Sequence, residues 1–117
     1  MKSFFLTPDQ YPTPYNPTSH LSLVSKFVFI QEPGQNGVLI CGDHGFDWHY
    51  QILEAAVQYK LVPNSISDRS VSGGKIKDGK IEWHSNVYGG VPEEQRTAVA
   101  DVLGITNQEL GITNRDS

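Results

Sequence analysis

The stretch Lys75-Ile76-Lys77-Asp78-Gly79-Lys80-Ile81-Glu82-Trp83 constrains this chain more than any other. Two strand-like halves flank Asp-Gly, the pair that suits a two-residue type I′ turn because both central residues take positive φ. A loop of that length fixes the register. Lys77 faces Lys80, Ile76 faces Ile81 and Lys75 faces Glu82. Ile76, Ile81 and Trp83 then share one face, and Ser85 joins them unless a bulge intervenes. The chain must therefore hold an antiparallel hairpin with one apolar side, and other elements must cover that side.

Those elements can be read on either flank. Leu23 to Ile30 contains Lys26-Phe27-Val28-Phe29-Ile30, a run rich in β-formers. EPGQNG (32–37) is turn chemistry and Val38 to Cys41 is a second apolar run, so the two predict an antiparallel pair. Trp48, Ile52, Ala55, Ala56 and Tyr59 recur at three- and four-residue spacing, which predicts a helix over 47–60 with Pro63 beyond its end. Asp43 or Asp47 is the expected cap, since a carboxylate accepts the unpaired amide hydrogens of a first turn. Ser65 to Val71 reads as a weaker strand, and Gly73-Gly74 as a bulge or a close backbone approach. Val91-Pro92-Glu93-Glu94 opens a second helix, with Ala98, Val99, Val102 and Leu103 as its stripe and Gly104 as its stop.

Residues 7–20 carry four prolines and little apolar pattern. Residues 1–22 are therefore expected to be a proline-rich amino-terminal arm preceding a domain over 23–117. The tail repeats Leu-Gly-Ile-Thr-Asn at 103–107 and 110–114, where one copy is a candidate edge strand. The whole predicts an α+β fold, a small single-domain mixed β-sheet of about five to six strands packed with two α-helices.

Charge and composition remove some functions. A net charge of −4 lacks the basic stripe of a nucleic-acid binder. No apolar segment approaches the ~20 residues that span a bilayer, and the amino end lacks the apolar core of a signal peptide. A cytoplasmic protein is the default expectation. The single cysteine, Cys41, allows neither an internal disulfide nor a cysteine-rich metal cage, and reads as a small buried hydrophobe.

Chemistry concentrates in CGDHGFDWHYQILEAA (41–56). A histidine such as His49 is most often an ordinary surface residue. At the amino end of a helix, however, the positive pole disfavours imidazolium and leaves the neutral ring that a base or nucleophile must be. The same pole attracts an anion. Lys26, at the start of an apolar strand, is either an edge lysine that discourages aggregation or a holder of a phosphoryl oxygen. Ser85-Asn86-Val87-Tyr88-Gly89-Gly90 is either a plain connection or an anion nest of backbone amides plus a hydroxyl. Lys75 lies beside Glu82, on the face opposite Ser85, and is left out of the site. His44 and His49 would stand roughly 140° apart on a helix, so they lack zinc-helix spacing. A metal set drawn from Asp43, His44, His49 and His84 is a weak alternative.

Four blocks together resemble the janus/ocnus family, over roughly residues 25–103. They are Lys26-Phe27-Val28-Phe29-Ile30, Asp47-Trp48-His49 with Gly42 before it, Ser72-Gly73-Gly74-Lys75-Ile76, and Ser85-Asn86-Val87-Tyr88-Gly89. The chain departs from the animal members in its shorter loops and in having Cys41 where they have an arginine. The resemblance implies a protein histidine phosphatase that works without metal or cofactor on a phosphohistidine-bearing protein or peptide. It implies His49 as the proton acceptor or nucleophile. It implies Lys26, Ser85, Asn86 and Val87 as the phosphate holders. A non-catalytic phospho-ligand or protein-binding module of the same fold is the alternative.

Overall fold

The computed structural model describes residues 1–66, 70–84 and 92–105. Six strands form one mixed sheet: β1 (Lys2–Thr7), β2 (Gln10–Pro14), β3 (Lys26–Ile30), β4 (Val38–Gly42), β5 (Val71–Lys77) and β6 (Lys80–Trp83), in the spatial order β2-β1-β4-β3-β5-β6. Among the described residues three α-helices accompany it: the single turn α1 (Pro17–His20), then α2 (His49–Gln58) and α3 (Glu93–Leu103). The α+β class and the mixed sheet are as expected. No helix among the described residues is long and apolar enough to cross a membrane.

The predicted hairpin is present in the predicted register, with Lys75 opposite Glu82, Ile76 opposite Ile81 and Lys77 opposite Lys80. Asp78 and Gly79 take φ of 54° and 75°, the pair of positive values that a type I′ turn demands. β3 and β4 pair antiparallel, again as read. Their apolar runs are continuous rather than alternating because both faces of the sheet centre are covered. Phe27 and Phe29 point into a core shared with Val99, Ala100 and Leu103 of α3. Val28 and Ile30 point the other way, into a core shared with Ile52 and Ala56 of α2.

Residues 1–22 are not a detached arm. β1 runs parallel to β4, from Lys2 opposite Val38 to Leu6 opposite Gly42, and β2 pairs antiparallel outside it. Phe5 enters the α3-side core and Leu6 the α2-side core. The prolines that suggested an arm are compatible with this: Pro12 and Pro14 sit in the edge strand β2, where a missing N–H costs no ladder partner and discourages pairing with another chain. Tyr15 is buried and its hydroxyl donates to the Leu103 carbonyl at 2.8 Å, so the amino-terminal segment also ties down the end of α3.

Two further expectations meet only part of the described chain. Of the strand expected over 65–71, Ser65, Ile66 and Ser70 are outside any strand, Val71 opens β5, and 67–69 lie outside the described residues. The described part of the first tail repeat, Leu103 to Ile105, closes α3. Gly104 takes φ 91° and Ile105 N–H returns to Ala100 O at 2.9 Å, which buries Ile105. The second copy lies outside the described residues.

Candidate functional site

His49 is the first residue of α2, after Trp48 in extended conformation. Neither aspartate caps the helix. Gln51, at the third helical position, reaches back, and its Oε1 accepts from the backbone N–H groups of Asp47 and Trp48, both at 2.9 Å. Asp43 instead holds the preceding turn, its Oδ1 accepting from Gly45 N–H at 2.9 Å. These bonds fix where His49 leaves the chain.

The imidazole lies against β5. A Cβ on Gly73 would sit 2.9 Å from His49 Cδ2, so the expected close approach at Gly73-Gly74 is the seat of this ring. His49 Nε2 is 2.8 Å from the Gly74 carbonyl oxygen. That oxygen can only accept, so Nε2 carries hydrogen and, in the neutral ring, Nδ1 keeps its lone pair. Burial lowers the pKa of His49; the hydrogen bond to Gly74 opposes this, and the charges of His84, Lys26 and Lys75 add to the lowering.

Lys26 opens β3, a strand in the middle of the sheet, and so is not an edge lysine. Its Nζ donates to the Phe46 carbonyl at 3.3 Å, just ahead of α2. In the β3–β5 register Lys26 stands directly opposite Lys75. Alternation from Val28 and Ile30 puts both lysines on the α2 side, the side of His49. Leaving Lys75 out of the site is thus corrected. Ser85, Asn86 and Val87, the expected phosphate loop, lie outside the described residues.

His84 was weighed only as a metal ligand. Its N–H donates to Gly73 O at 2.9 Å, and its ring meets that of His49 edge-on, with centroids 4.8 Å apart and planes at 60°. The hairpin register carried the signal for it: if Lys75 faces Glu82, then Gly73 faces His84. What the sequence did not show is that α2 lies on that side. Among the described residues no three His, Cys, Asp or Glu side chains form a group that could hold a metal ion. Asp43 and His44 do not join His49 and His84 in such a set.

Fold and site together define a small α+β protein with two imidazoles and two ammonium groups on one side of its sheet, at the start of a helix. Comparison with family models, curated proteins and solved structures finds no match to the chain.

Proposed function

We propose that this chain is a metal-independent phosphatase acting on phosphohistidine in proteins or peptides, in the cytoplasm. The observation that carries the reading is His49 itself: a neutral imidazole at a helix amino end, with Nε2–H held by Gly74 and Nδ1 left basic, beside Lys26 and Lys75. A P–N bond breaks readily once its nitrogen is protonated, so such an enzyme needs placement and charge stabilisation more than a strong nucleophile. The lysines would draw charge from the equatorial phosphoryl oxygens. Nδ1 of His49 would either take a proton from the attacking water or attack phosphorus and carry the phosphoryl group briefly. The four-block likeness to the janus/ocnus family supports the same assignment and adds Ser85, Asn86 and Val87 as phosphate holders.

The test is phosphate release from a phosphohistidine peptide. Wild type should release it and keep doing so in excess chelator, whereas a folded His49→Ala variant should not. Loss of activity in chelator with recovery on adding a divalent ion would point to a metal hydrolase instead. One observation favours the second reading, a phospho-ligand module. Trp48 and Tyr50, on either side of His49, are 61% and 54% exposed, and such aromatics are common anchors in binding surfaces. Tight phosphopeptide binding without release would select it.

A further inference from the structure

We propose that His84 is a second imidazole of the phosphoryl site, and that the His49–His84 pair takes up a proton when a tetrahedral dianion binds. The inference rests on the anion site read above and adds to it a residue and a charge state. Its basis is geometric. The two rings touch. His84 is held at the end of β6 by Gly73 O, the carbonyl of the same glycine whose missing side chain admits His49. The described charged groups acting on His49 are Lys26 on β3 and Lys75 on β5, with His84 at the end of β6. Glu82 is engaged by Lys75 at 3.5 Å.

His49 therefore lies in the field of two ammonium groups and a second imidazole, while the Glu82 carboxylate is paired with one of those ammonium groups. Without a ligand, burial and these neighbouring charges keep His49 short of protons. A dianion reverses that balance. Since Nε2–H of His49 is already committed to Gly74, the incoming proton goes to Nδ1 of His49 or to the His84 ring that touches it. In hydrolysis the same proton has a use. Water's oxygen bonds to phosphorus as the P–N bond breaks. The protonated imidazole of the pair gives its proton to the leaving nitrogen, and the other imidazole accepts the proton lost by water. The pair ends the step with the one proton it gained on binding.

Sulfate is the suitable probe, because it is a tetrahedral dianion that does not itself titrate near neutrality. Calorimetric titration of the full chain in buffers of different ionisation enthalpy, from about pH 6 to 8, should show net proton uptake. The association constant should fall with rising pH by up to about tenfold per unit. His84→Asn should reduce the uptake and weaken sulfate roughly tenfold, with His84→Gln as a second variant and circular dichroism as the check on folding. His44→Asn should change neither. Sulfate that binds wild type without proton uptake, or binds folded His84→Asn with unchanged affinity and uptake, overturns the proposal, as does a wild type that does not bind sulfate. Failure of the phosphatase reading looks different: sulfate would bind with proton uptake while phosphohistidine peptide is left intact.

Discussion

The Gly74 carbonyl has no proton to give, so its 2.8 Å contact with His49 assigns the tautomer and makes Nδ1 the reactive nitrogen. Charge then sets the pH range. Burial, together with His84, Lys26 and Lys75, lowers the His49 pKa below the usual ~6.5. Activity should accordingly hold down to and below pH 6.5 and fall only as the ring is finally protonated. Stability follows the same sign. Between the lowered folded value and ~6.5 the unfolded chain binds more protons, so stability rises with pH through that window and this contribution is flat above it. Lys26 is one of the cations responsible, and Lys26→Ala should therefore move the acid limb of the rate profile to higher pH while weakening anion affinity roughly tenfold. Rate profiles of the two proteins and urea melts of wild type and His49→Gln at pH 5 and 7 check this. An unmoved limb in Lys26→Ala would detach the lysine from the site.

At the scale of elements, two neighbouring glycines of β5 do different jobs. An Ala Cβ at Gly73 would stand 2.9 Å from His49 Cδ2 and 3.1 Å from Phe27 O, so the imidazole must swing away. At Gly74 it would stand 2.6 Å from Glu82 O and 2.7 Å from Phe27 Cζ, so the hairpin and the core must give instead. Gly73→Ala should therefore lose most phosphohistidine activity with modest destabilisation. Gly74→Ala should lose about 1–3 kcal/mol of stability through overpacking. Activity and urea midpoints measured on both variants separate the two, and equal losses in both measurements would sink the distinction. Asp78-Gly79 was legible because a two-residue loop leaves one register. β3 and β4 were legible because a strand covered on both faces reads as an unbroken apolar run. The helix cap was not, because an aspartate before a helix is the usual signal and here Gln51 reaches back from inside it. Lys75 was rightly placed beside Glu82 but left out of the site, because nothing in the sequence says against which side of the hairpin α2 packs; its register partner Lys26 puts it on the α2 side.

At the scale of the molecule, the least legible feature was the part played by the first 15 residues. β1 finds its parallel partner, β4, only after β2, α1 and β3 have intervened. No local pattern announces so distant a pairing, and the prolines of an edge strand resemble those of a linker. The consequence is quantitative. Leu6 is fully buried and Phe5 is 8% exposed, and each such side chain contributes roughly 1.5–3 kcal/mol on burial. Phe4 packs against the α2-side core, and Tyr15 adds its bond to Leu103 O. Set against a total stability of about 5–15 kcal/mol for a domain of ordinary size, these contacts are not dispensable. Removing β1 would also bare the edge of β4, a strand whose Leu39, Ile40 and Cys41 are fully buried. A chain beginning at Leu23 should therefore aggregate or lack a cooperative urea transition, and a synthetic peptide of residues 1–16 added in excess should restore one. A truncated chain that melts cooperatively at the urea midpoint of the full protein would return this segment to the status of an arm.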